Sequence, residues 1–154
     1  MAHPKEGNAA PDFELASDTG EKVKLSDLRG RPVVLYFYPK DDTPGCTKEA
    51  CGFRDDYAQY ARAGVVILGV SPDSPKSHTA FKEKFHLPFP LLADEDKKVL
   101  KKYGVWGKKK FMGREYMGVL RTTFLIGPDG KLLRIFEKVK PEGHSQEILA
   151  ALNK

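Results

Sequence analysis

Apolar positions along the chain fall into short runs separated by polar segments that carry glycine and proline. Pro32-Val33-Val34-Leu35-Tyr36-Phe37-Tyr38 is apolar without alternation, as expected of a strand buried on both faces. Its proline falls at the first position, where a missing N–H matters least. Val65 to Ser71 repeats the pattern. Between these runs the spacing predicts a helix from about Pro44 to Ala63. Thr43 suits the N-cap, Pro44 the first helical position and Gly64 the stop. Ser74-Pro75 gives the same opening signal for a helix reaching about His86. Phe89-Pro90-Leu91-Leu92 reads as a short extended segment, and Asp94 or Asp96 caps a helix ending near Tyr103-Gly104. Upstream, Phe13-Glu14-Leu15 and Lys22-Val23-Lys24-Leu25 flank the turn residues Asp18-Thr19-Gly20, which predicts a hairpin. Ser26 to Gly30 reads as a single helical turn. Arg121 to Ile126 and Leu132 to Glu137 read as strands joined by Gly127-Pro128-Asp129-Gly130, and a last helix runs from about Gly143 to Leu152. Residues 105–119 are rich in glycine and charge and have no clear period, so they read as a long loop.

The element order is a parallel βαβ unit followed by an antiparallel hairpin. That predicts an α/β protein of thioredoxin-like fold: a central mixed sheet flanked by helices, with an N-terminal β-hairpin extension. The 154 residues suit one domain over residues 1–154, with no repeat or linker. No stretch approaches the roughly 20 apolar residues of a membrane helix, and Met1 to Leu15 lacks a signal-peptide pattern. Neither a membrane partner nor export is expected. Two cysteines are too few for a disulfide scaffold, which fits a reducing, cytoplasmic home.

Net charge is +5, much of it from Lys97, Lys98, Lys101, Lys102 and Lys108 to Lys110. Tyr103, Trp106 and Phe111 are interleaved with these lysines, as nucleic-acid stacking would require. No nucleic-acid motif accompanies them, and a solvated face is the reading adopted. His3, His78, His86 and His144 are scattered, without zinc-ligand spacing, and surface or loop placement is expected for them. No metal or other cofactor is expected.

The only two cysteines, Cys46 and Cys51, lie in the predicted helix after the first buried strand. Cys46 sits in its first turn, where free N–H groups and the helix dipole favour thiolate over thiol. Cys51 is five residues on. In a helix that spacing gives about 7.5 Å of rise and about 140° of rotation, so the Cα atoms lie about 8.5 Å apart. A disulfide needs about 4.4–6.8 Å. Either Cys51 is a small packed residue with no redox role, or the helix must open before the sulfurs can meet.

Pro39-x-x-x-Thr43-x-x-Cys46 resembles the active-site signature of the peroxiredoxins. The run Thr43-Pro44-Gly45-Cys46-Thr47-x-Glu49-Ala50-Cys51, with Phe53-Arg54-Asp55 behind it, resembles the bacterioferritin comigratory protein, or peroxiredoxin Q, subgroup. Tyr103-Gly104-Val105-Trp106, Phe111-Met112-Gly113-Arg114 and Arg121-x-Thr123-Phe124-Leu125-Ile126 extend the similarity over nearly the whole chain. Gly127 departs from it, where aspartate is common, in a turn. The resemblance implies reduction of hydrogen peroxide and organic hydroperoxides. Cys46 would be the peroxidatic thiolate, and Cys51 the resolving thiol of an intramolecular disulfide after helix opening. Thioredoxin or a similar dithiol protein would be the reductant. Orienting the peroxide and stabilising charge on the departing oxygen need donors, which the Thr43 hydroxyl, the N–H of Cys46 or its neighbours and the Arg121 guanidinium can supply. Pro39, without an N–H, can shield the sulfur from water. From the residues alone, Thr43 reads as an N-cap and Arg121 as a surface strand arginine. A monomer is expected. Two alternatives are weaker: a thioredoxin-type oxidoreductase, disfavoured because the spacing is not Cys-x-x-Cys, and a non-catalytic redox-sensing module.

Overall fold

The computed structural model describes residues 4–152, so His3 lies outside the described residues. In chain order the strands are β1 (Glu14–Ser17), β2 (Lys22–Lys24), β3 (Val33–Phe37), β4 (Val66–Ser71), β5 (Leu91–Ala93), β6 (Trp106–Phe111), β7 (Arg114–Val119), β8 (Thr122–Ile126) and β9 (Leu132–Phe136). The helices are α1 (Pro44–Asp55), α2 (Tyr57–Arg62), α3 (Pro75–Phe85), α4 (Lys98–Lys102) and α5 (His144–Leu152), with one 3-10 turn at Leu25–Leu28. Seven strands form one sheet in the order β2-β1-β5-β4-β3-β8-β9. β3, β4 and β5 are parallel, while β8 and β9 extend one side antiparallel. The N-terminal hairpin joins the other side through β1 on β5. This is the expected thioredoxin-like arrangement.

Every residue of β3 is buried, because helices cover both faces of the sheet. Val34, Tyr36 and Tyr38 pack with Ala50, Phe53, Tyr60 and Phe81 on one face. Val33, Leu35 and Phe37 pack with Val99, Leu100, Tyr103 and Phe124 on the other. Tyr36 stacks on Phe53 with ring centres 4.8 Å apart. That contact seats α1 against the centre of the sheet.

Three expectations need correction. Residues 105–119 are not a loop: β6 and β7 pair antiparallel around Met112-Gly113. Both turn residues have positive φ, 52° and 80°, as a tight two-residue hairpin turn requires. The strands are mostly exposed, so no burial pattern marked them. The helix expected over 44–63 breaks at Asp56, which ends α1 and starts α2. Successive aspartates are unfavourable at a helix C-terminus and favourable at a start. His78 and His144 are buried, at 0% and 2% exposure, rather than at the surface. Tyr103 is likewise fully buried, which removes it from any stacking surface. The N-cap of α4 is Lys97 rather than either aspartate, but both aspartates accept from its first turn, Asp96 from the Lys98 amide and Asp94 from the Leu100 amide.

His78 explains how the β3–α1 connection is held. Its Nδ1 lies 2.7 Å from Asp41 Oδ2, and its Nε2 donates to the Leu92 carbonyl at 2.9 Å. The Tyr38 and Ser77 hydroxyls also donate to Asp41, at 2.6 and 2.8 Å. The Asp41 amide donates to Asp73 Oδ2 at 2.8 Å. A buried carboxyl with this many partners is costly to strip of one. His78→Ala should lower unfolding free energy by about 3 kcal/mol, whereas His86→Ala, at the exposed end of α3, should change it by less than about 0.5 kcal/mol. Urea unfolding followed by circular dichroism checks both.

Candidate active site

α1 begins close to the C-terminal end of β3. Thr43 is extended, with φ −105° and ψ 155°, Pro44 takes the first helical position, and the Thr47 amide donates to the Thr43 carbonyl at 2.8 Å. The amides of Gly45 and Cys46 therefore have no intrahelical acceptor. The expected side-chain cap is absent, because the Thr43 hydroxyl donates to the Lys40 carbonyl at 2.9 Å. With its proton committed there, Thr43 offers lone pairs to a ligand.

Cys46 is 1% exposed, in the first turn of α1. Arg121, immediately before β8, reaches across the mouth of this turn. Its Nη2 donates to Cys46 Sγ at 3.3 Å and its Nη1 to Glu49 Oε1 at 2.7 Å. Arg121 thus touches both Cys46 and Glu49 and does not stand free on the strand surface. Gly45 makes room for it: a β-carbon there would stand 3.2 Å from Nη2 and 3.5 Å from Pro141 Cγ. Lys109 of β6 closes another side, with Nζ donating to the Val119 carbonyl at 3.0 Å. Burial and the Arg121 charge lower its basicity, and the Cys46 charge opposes them.

Glu49 went unnoticed as a candidate in the sequence. It lies three residues after Cys46, on the same face of α1, a spacing that could have marked it. Its side chain is buried, and Oε2 has no hydrogen-bond partner. Burial holds the carboxyl up at about 7, against the pull of Arg121. Pro39, half-buried just past β3, has no N–H to offer the group. Cys51 is part-buried on another side of α1, beside a groove lined by Gly52, Pro141, Glu142 and Ser145. Burial pushes its thiol up. Both cysteines are free thiols, and the helix between them is intact. The site therefore brings Arg121 onto Cys46, with Thr43 at the N-cap of the same turn, and leaves Cys51 apart.

Residues 7–135 match the AhpC/TSA family model. The chain belongs to the AhpC/TSA family. Peroxiredoxin Bcp of Bacillus subtilis is 53% identical over 146 residues, covering 95% of this chain and 93% of that protein. A putative peroxiredoxin bcp of Coxiella burnetii is also 53% identical, covering 95% and 97%. Among solved structures, the bacterioferritin comigratory protein of Xanthomonas campestris superposes with a TM-score of 0.87 at 39% identity, covering 92% of this chain and 90% of that one. A PrxQ variant of Xylella fastidiosa reaches 0.93 at 34% identity, covering 99% and 98%. This AhpC/TSA member is a peroxiredoxin: a thiol peroxidase whose substrate is a peroxide and whose reductant is a thiol. Among the described residues, no helix is long and apolar enough to cross a membrane.

The raised Glu49 carboxyl gives a signed pH dependence. Unfolded, it ionises near its ordinary 4.5; folded, near 7. Between those values the folded protein keeps a proton that the unfolded chain has lost. The group's contribution is therefore complete below 4.5 and is lost as pH rises through 7. Glu49→Gln should remove this loss, so its stability relative to wild type should grow by about 3 kcal/mol from about pH 4 to about pH 8. Urea unfolding across that range measures it.

Proposed function

We propose that Cys46 is the peroxidatic cysteine and Cys51 its resolving partner. The Cys46 thiolate attacks the nearer oxygen of hydrogen peroxide or an organic hydroperoxide, and the O–O bond breaks. The departing oxygen leaves with the electron pair and takes a proton, giving water or an alcohol, while Cys46 becomes a sulfenic acid. The Cys51 thiolate then attacks that sulfur, and the Cys46–Cys51 disulfide forms as the hydroxyl leaves as water. Thioredoxin or a similar dithiol protein reduces the disulfide by exchange and is itself oxidised. The chain acts as one cytoplasmic domain, residues 1–154, as a monomer. Its own side chains supply the chemistry without metal, flavin or nicotinamide.

The observation that carries this reading is the Arg121 bridge, one guanidinium donating to Cys46 Sγ and Glu49 Oε1. A fixed cation of this kind favours negative charge on sulfur and on an oxygen leaving beside it. The free amides of Gly45 and Cys46 point to the same region, and Thr43 accepts from a hydroperoxide O–H. Orientation matters because thiolate alone is too slow; positioned donors and a bound substrate contribute most of the acceleration. Pro39, lacking an N–H, keeps water from the sulfur.

Cys46→Ser should abolish peroxide turnover with the fold retained by circular dichroism. Arg121→Lys should slow the first step at least tenfold, because an ammonium cannot hold both partners in one plane. Rapid-mixing kinetics of Cys46 oxidation measures this. Substantial turnover in Cys46→Ser, or wild-type kinetics in Arg121→Lys, contradicts the assignment.

A further inference from the structure

The β6–β7 hairpin carries a surface that the peroxidase site does not use. It is a separate two-stranded sheet, and its tip is Phe111 and Met112, which are 66% and 88% exposed. Tyr116 and Met117 behind the tip are about half exposed, at 47% and 49%. Lys108, Lys109, Lys110 and Arg114 surround them, against the single carboxylate of Glu115. Among the described residues, none of Lys108, Lys110 and Arg114 forms an ion pair. Cross-strand pairing sets Lys108 beside Met117 and Arg114 beside Phe111. Cations therefore accompany apolar side chains on both faces.

Met112 has φ 52°, a left-handed conformation that asparagine or glycine adopts at less cost. Apolar side chains at a highly exposed hairpin tip, with cations around them, suit a soft anionic interface better than a flat protein partner. The hairpin also leads directly to the site: β7 ends two residues before Arg121, and Lys109 of β6 lies within reach of the Arg121 and Cys46 charges.

We propose that this hairpin docks on an anionic phospholipid surface. Phe111 and Met112 enter the acyl boundary, Lys108, Lys110 and Arg114 meet the phosphates, and lipid hydroperoxides in that surface are presented to Cys46. The last clause rests on the proposed function; the docking does not. The absence of a spanning helix does not bear on it, since lying on a membrane and crossing it are different physical states.

Sedimentation of the reduced full chain with vesicles tests the docking. One set is phosphatidylcholine alone; the other adds about a third phosphatidylglycerol, both at low ionic strength. Binding should appear only with the anionic set. Lys108→Ala/Lys110→Ala should weaken it about thirtyfold, from about 1 kcal/mol per cation. Phe111→Thr/Met112→Asn should weaken it at least tenfold. Both double variants should keep wild-type turnover of hydrogen peroxide and lose turnover of a vesicle-embedded phospholipid hydroperoxide. No binding to anionic vesicles overturns the proposal, as does equal binding by all three proteins. So does finding that the hairpin instead holds an acidic protein or a second copy of the chain. If wild type binds vesicles but consumes no hydrogen peroxide, the proposed function fails and the docking stands.

Discussion

One guanidinium organises this molecule's chemistry. Arg121 stands one residue before β8, whose Thr122 pairs with Phe37 at the end of β3. α1 starts a few residues beyond that same end. The antiparallel β3–β8 register therefore delivers the cation to the first turn of α1, where Cys46 and Glu49 share it. The carboxyl of buried Glu49, with one oxygen unpartnered among the described residues, is pushed up to about 7. A protonated Glu49 leaves the guanidinium's charge to the sulfur. The Asp41–His78 cluster and Gly45 serve this arrangement by fixing the connecting loop and keeping space clear.

The helix that carries Cys46 also separates it from the proposed resolving thiol. Cys46 points inward and Cys51 toward a groove, about 140° apart around α1. The N-terminal turns are the ones free to open. Gly45 and Gly52 lower helix propensity, and the clasp across the groove, Lys48 to Glu142 at 2.9 Å, is exposed and worth little. Further along, Phe53 is fully buried, stacked on Tyr36 and edge-on to His144, so that end of α1 stays in place.

Sequence periodicity revealed what burial controls. The continuous apolar runs of β3 and β4, the cap-then-proline starts of α1 and α3, and hence the mixed sheet were all legible. The β6–β7 hairpin was not, because its strands are exposed and Met112-Gly113 is an unusual turn pair. The two buried histidines were misplaced because their hydrogen-bond partners lie far away in sequence, His78 with Asp41 and Leu92, His144 with Thr123. Cys46 stands out as a candidate from its place in a helix's first turn, whereas Thr43 and Arg121 become site candidates only through the family resemblance. The Thr43 hydroxyl's choice of the Lys40 carbonyl over a helix amide is a local turn detail that periodicity does not encode, and the Arg121–Glu49 contact is tertiary, joining positions 72 residues apart.

The claim on which the account most depends is that disulfide formation requires α1 to open. Amide hydrogen exchange of residues 44–54, compared in the reduced protein and in the protein carrying a mass-verified Cys46–Cys51 disulfide, tests it directly. The account requires loss of protection across the N-terminal turns in the disulfide form, with protection kept near Phe53. Equal protection of residues 44–54 in both forms would show that the sulfurs meet without the helix opening, and would contradict it.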